Sequence, residues 1–209
     1  MQVVIVAGSS GQHAAVVYEA ARLSGIVVAG FVTIDDGAPP SVLDCKYLGG
    51  PEMLENGVLS HDASFVVASG SNARRKSVTD ALDRKGASLQ TIIHPGAIIS
   101  PSAAIGWGSV VLAGAIVGPL ARLGRSCIVN HAASVDHHCS VADHVNISPG
   151  ARLGGAVQID EGVFIGLNAS ILQGLHVGRD AVIGAGAVVI ADVGARAVVA
   201  GNPARELRR

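Results

Sequence analysis

Over the first 90 residues, short apolar runs alternate with amphipathic stretches. The runs QVVIVAG (2–8), IVVAGFVTI (26–34) and SFVVASG (64–70) are valine-rich and bounded by glycine or polar residues, which predicts buried strands. HAAVVYEAARLSG (13–25) and SNARRKSVTDALDRKG (71–86) place apolar residues at helical spacing and end in glycine, which predicts helices. Strands alternating with helices in this order imply a small parallel α/β sheet. The stretch is long enough for only about half of a full dinucleotide-binding fold.

From Ile93 the period becomes six. Every sixth residue from Ile93 through Ile99, Ile105, Val111 and onward to Val189 is Ile, Val or Leu, seventeen positions without a slip. Four residues after most of them comes a small residue, such as Ala97, Ala115, Cys127, Ala133, Cys139 or Ala169. Glycine often follows the aliphatic position, as at Gly106, Gly118, Gly124, Gly154, Gly166, Gly178 and Gly184. This is the hexapeptide pattern of a parallel β-helix: the aliphatic fills the interior, the small residue fits the corner, and glycine relieves backbone crowding. Three hexads make one triangular coil, so residues 18 apart stack at the inter-strand spacing of about 4.8 Å. The expected organisation is a small Rossmann-like α/β domain over 1–90 and a β-helix of five to six coils, with no extruded loop, over 91–209.

Charge changes this picture only by exclusion. Fifteen Lys and Arg against 16 Asp and Glu give a net charge of −1, and the basic residues cluster only at Arg74–Lys76 and Arg208–Arg209. A nucleic-acid polymer or an anionic membrane is an unfavourable partner for such a surface. No apolar run approaches the roughly 20 residues that span a bilayer, and the start lacks a basic region ahead of its apolar run, so a cytoplasmic location is expected. Three scattered cysteines, Cys45, Cys127 and Cys139, fit reduced thiols rather than a disulfide framework.

The densest chemistry is SVDHHCS, residues 134–140. His131 and His137 lie six apart, as do His138 and His144, so each pair falls on different sides of the triangle and cannot converge on a metal within one chain. No metal is expected, and Cys139 belongs to the inward small series as a buried thiol. His137 stacks between Pro119 and Gly155 and points outward. An outward imidazole beside an exposed glycine amide suits acyl transfer: one takes a proton from the nucleophile and the other steadies the oxyanion. On a β-strand His138 would leave the opposite face, so little contribution from it is expected unless the turn bends it back.

The tract VVLAGAIVGPLARLGRSCIVNHAASVDHHC, with ISPGARLGG after it and VVAGNPARELRR at the end, resembles the bacterial sugar O/N-acyltransferases built on the left-handed β-helix. These include sialic acid O-acetyltransferases and enzymes that N-acetylate nucleotide-linked 4-amino sugars. The resemblance covers the whole chain and supplies the left hand, which periodicity does not fix. It implies a homotrimer with acetyl-CoA in the groove between neighbouring β-helices. It further implies that His137 is the general base beside Asp136 and His138, that Asn130 lies beside the sugar, and that the Gly155 amide meets the thioester carbonyl. Leu167, Gly184 and Ala185 then match the pantetheine path.

Two positions depart from the family pattern. His138 stands where Asp or Glu usually follows the base, and Asn146 stands where a second histidine is common. Asn146 can still donate a hydrogen bond to a thioester carbonyl. The GSSGQHA loop (8–14) joins the first strand to the first helix, where backbone N–H groups attract phosphate. By the resemblance, Gly8, Ser10 and His13 of this loop, with Asp35, Asp36, Gly70 and Asn72, line a nucleotide-sugar site. The expected reaction is direct acetyl transfer from acetyl-CoA to the amine of a nucleotide-linked amino sugar, with O-acetylation of sialic acid or another sugar hydroxyl as the alternative.

Overall fold

A computed structural model describes residues 2–8, 11–36, 39–55 and 63–207. The chain divides into two compact units, Met1–Pro95 and Gly96–Arg209.

In the first unit, β1 (Gln2–Ala7), β2 (Val27–Thr33), β3 (Tyr47–Gly49), β4 (Ala63–Ala68) and β5 (Ser88–Leu89) form one sheet in the order β3-β2-β1-β4-β5. All pairings are parallel. Helices α1 (Gln12–Leu23), α2 (Glu52–Glu55) and α3 (Asn72–Arg84) connect the strands. The valine-rich runs became β1, β2 and β4, whose Val4, Val6, Val32, Phe65 and Val67 join Leu82 of α3 in the core. From β1 the chain winds one way through β2 to β3, then returns to β4 on the other side of β1. The switch point lies between β1 and β4, and the crevice beyond the carboxyl ends of these strands is where open α/β sheets bind ligands.

The second unit is a left-handed parallel β-helix with three faces. The first face stacks Ile98–Ile99, Ile116–Val117, Ser134–Val135, Arg152–Leu153, Ser170–Ile171 and Val188–Val189. The second stacks Ala104–Ile105, Arg122–Leu123, Ser140–Val141, Gln158–Ile159 and His176–Val177. The third runs from Val110–Val111 through Ile128–Val129, Asn146–Ile147, Phe164–Ile165 and Val182–Ile183 to Val198–Ala200. The aliphatic series from Val111 to Val189 and the small series from Ala115 to Ala187 fill its interior, with the partly buried Ile99 and Ile105 packed against it.

Two details of the repeat differ from the sequence expectation. Ile93 is 37% exposed, and it is the neighbouring Ile92 that is fully buried, so the inward series starts at Ile99. At the other end Val177 bridges Val193, and Val182 pairs with Val198, so the last coil is two residues shorter than the rest. Crowding explains the recurrent glycine: a Cβ at Gly166 would come within 2.6 Å of the Ala185 nitrogen, leaving no room between coils. A separate position carries the turn. From Gly108 to Gly186, every sixth residue has φ between 53° and 75°, including Leu120, Ala132, His138 and Ala156. Non-glycine residues occupy this left-handed region at a cost of roughly 1–2 kcal/mol each, which the fully buried interior sustains. Among the described residues no helix is long and apolar enough to cross a membrane.

Candidate active site

His137 and His138 lie in the turn between the first and second faces, not on a strand. The backbone fixes this turn from both sides: His138 N–H donates to Pro119 O at 2.9 Å, and His137 O accepts from Ala156 N–H at 2.8 Å. His137 therefore stacks as its 18-residue spacing requires, and its ring lies against Gly155. A Cβ built on Gly155 would sit 2.5 Å from His137 Nε2 and 3.0 Å from Nδ1. The glycine is what makes room for the imidazole.

The expectation that His138 leaves the opposite face fails, because it assumed a strand. With φ at 60°, His138 is the left-handed residue of the turn, and the chain bends its side chain back toward the His137 ring. The two Nδ1 atoms are 3.1 Å apart and the rings meet edge-on at 85°, with centroids 5.3 Å apart. Asp136 is engaged elsewhere: its Oδ1 accepts the His137 backbone N–H at 2.7 Å. The carboxylate thus shapes the turn, and a second imidazole, not an acid, adjoins the His137 ring. The nearby thiol is no rival nucleophile. Cys139 is 1% exposed with its Sγ directed at Gly154 O, 3.2 Å away, and burial pushes the thiol pKa up, offset in part by a backbone hydrogen bond from Val157.

The remaining positions of this unit fall elsewhere. Asn130, Leu167, Gly184 and Ala185 belong to the turns between the third and first faces, the next corner of the triangle. Asn130 Oδ1 accepts the His131 backbone N–H at 2.9 Å, and Leu167 is 52% exposed, its carbonyl accepting Gly186 N–H at 2.7 Å. Asn146 lies on the third face and is only 5% exposed, so this chain does not bring it to the corner of His137. His131 is exposed on the corner of Asn130, and His144 is fully buried. Among the described residues no group of three or more His, Cys, Asp or Glu is placed to hold a metal ion.

In the first unit, the residues picked from the sequence gather near the carboxyl ends of β1, β2 and β4. Gly11, with φ at 62°, caps α1, and His13 sits half-buried in its first turn. Ser10 lies outside the described residues. Asp35 follows β2 and pairs with Arg74 of α3 at 3.0 Å, and Arg74 Nη1 would be 3.7 Å from a Cβ on Gly8. Asp36 and Gly70 are exposed. Asn72 Oδ1 accepts from Arg75 Nη2 at 2.9 Å, and the buried Arg75 also donates to Ser69 O at 2.9 Å, which fixes the loop between β4 and α3. Sequence reasoning treated Arg74 and Arg75 only as a basic run. The available signal was their place in the first turn of a helix that follows a buried strand.

A family model described as the PglD N-terminal domain matches residues 3–82. The whole chain is similar to the acetyltransferase domain of PglB from Neisseria gonorrhoeae, at 40% identity over 99% of each chain with a TM-score of 0.92; that domain has also been solved in complex with acetyl coenzyme A. It is also similar to PerB from Caulobacter crescentus, solved with CoA and GDP-perosamine, at 32% identity over 100% of this chain and 98% of that one, with a TM-score of 0.90. A curated relative, the 2,3,4,5-tetrahydropyridine-2,6-dicarboxylate N-acetyltransferase of Brevibacillus brevis, is 45% identical over 144 residues. The match covers 60% of that relative, and 31% of the Staphylococcus aureus enzyme of the same description, so the chain spans less than two thirds of the curated relatives it matches.

Proposed function

Because the chain belongs to the hexapeptide-repeat sugar acetyltransferases, we propose that it transfers the acetyl group of acetyl-CoA directly to the amine of a nucleotide-linked amino sugar, with His137 as general base. The observation that carries this reading is the His137 imidazole lying against Gly155 at an open corner of the β-helix. His137 Nε2 takes a proton from the amine as its nitrogen attacks the thioester carbonyl carbon. The Gly155 backbone N–H donates to the oxyanion of the tetrahedral intermediate. Collapse then breaks the C–S bond, and the departing sulfur takes up a proton to leave as free CoA. With Cys139 buried, no acyl-enzyme is needed.

A trimer completes the site. His137 and Gly155 occupy one corner of the triangle, while Asn130, Leu167, Gly184 and Ala185 occupy the next, facing another direction. A pantetheine path that uses both sets takes them from two chains packed side by side. Light scattering at micromolar concentration is expected to give three times the 21.0 kDa chain mass; a monomer would rule this arrangement out.

The first unit supplies the nucleotide site at its switch point. The Arg74–Asp35 pair is solvent-exposed, with side chains 53% and 29% accessible, and such pairs are worth only about 0–1 kcal/mol. Arg74 can therefore exchange Asp35 for a diphosphate at little cost, beside the Gly8 loop and the amino end of α1. Remote binding energy of this kind holds the amine in place. The free amino sugar is accordingly expected to show a kcat/KM on the order of 10²-fold lower than its nucleotide-linked form. Kinetics on a panel of UDP-, dTDP- and GDP-linked 4-amino sugars tests this, and equal values for free and linked sugars would remove the role given to the first unit.

A further inference from the structure

We propose that His138 is the positioning residue of this site: its Nδ1 accepts the proton on His137 Nδ1 and so holds His137 in the tautomer whose Nε2 is free to act. The proposal rests on His137 being the base. Two ring nitrogens 3.1 Å apart share one hydrogen, and which ring carries it decides what His137 can do. If His138 donated, neutral His137 would hold its own proton on Nε2 and have no lone pair for the substrate. If His137 donates, Nε2 is free and rests over Gly155.

The surroundings leave this task to His138. Asp136, the acid next to the base in sequence, spends Oδ1 on the His137 backbone N–H. The turns stacked on either side, Pro119–Leu120 and Gly155–Ala156, bring no side chain that can accept a hydrogen bond. The left-handed φ of His138 is what aims the ring, and its edge-on meeting with His137 suits an N–H to lone-pair contact. When His137 takes the substrate proton on Nε2, its Nδ1–H becomes a charge-assisted donor to a neutral imidazole, which stabilises the imidazolium. No proton passes to His138 in this scheme.

The test uses His138→Leu, which removes the acceptor, and His138→Asn, whose Oδ1 lies close to the place of Nδ1 and whose backbone tolerates the left-handed region. Two-bond proton–nitrogen correlation spectra of the ¹⁵N-labelled full chain, without substrate, read the His137 tautomer, and steady-state kinetics are run alongside. The wild type is expected to carry the His137 proton on Nδ1. In His138→Leu the proton moves to Nε2 and kcat falls on the order of 10- to 100-fold with little change in KM; His138→Asn brings back both the tautomer and most of the lost rate. A wild-type proton on Nε2 overturns the proposal. So does an unchanged tautomer in His138→Leu when His137→Ala is inactive, and that result leaves the base assignment standing. An active His137→Ala overturns the base assignment and the proposal together.

Discussion

Replacing His137 with alanine is expected to lower kcat by about 10²- to 10⁴-fold, the usual contribution of a positioned general base, with little change in KM for acetyl-CoA. The change removes only the ring. The turn itself is held through the backbone groups of residue 137, its N–H donating to Asp136 Oδ1 and its carbonyl accepting from Ala156 N–H, which alanine keeps. The interior of the β-helix is untouched because the side chain is exposed. Circular dichroism should therefore match the wild type, and steady-state kinetics with saturating nucleotide-linked amino sugar isolate the chemical step. A variant within about tenfold of the wild-type rate would assign the proton transfer to another group, since base catalysis contributes more than that.

Gly155→Ala is expected to be as damaging, although the residue has no side chain to lose. An added Cβ would lie 2.5 Å from His137 Nε2 and 3.0 Å from Nδ1, so methyl and imidazole compete for one volume and the ring must swing away. Backbone strain is not the cause, because the left-handed residue of this turn is Ala156, with φ at 59°. The fold is thus expected to survive while kcat falls by 10²-fold or more, the scale of losing the base. The interaction is separable by a double-mutant cycle: in a His137→Ala background the extra methyl meets no ring, and Gly155→Ala should add little further loss. Full activity in Gly155→Ala would mean that His137 does not rest on this glycine during turnover. Additive losses in the cycle would point to an effect of the methyl apart from the ring, such as blocking the approach of the thioester to the Gly155 backbone.

The repeat was legible in the sequence because it is a local rule applied many times. Each hexad buries one aliphatic and one small residue, so the period alone places His137 over Gly155 and separates its corner from that of Asn130. The valine runs of β1, β2 and β4 were equally plain. The two-residue strand Ser88–Leu89 and the three-residue strand Tyr47–Gly49 were not, since pieces so short carry no period of their own. The ends of the repeat escaped for a related reason. Ile93 matches the six-residue phase but has no full coil below it, and the shortened last coil follows from local packing and leaves no mark on composition.

What the sequence determined by itself is therefore the two-part architecture, the stacking of residues 18 apart and the choice of His137 as the proposed base. Tertiary structure decided how the neighbours of His137 are placed. Alternation along a strand would send His138 away from His137, but from Gly108 to Gly186 each corner places one residue at positive φ, and at this corner it falls on His138. Likewise, Asp35 and Arg74 are 39 residues apart and meet because β1 lies between β2 and β4 in the sheet. Neither contact is encoded in a local pattern, because both depend on where the chain turns and which strands it places side by side.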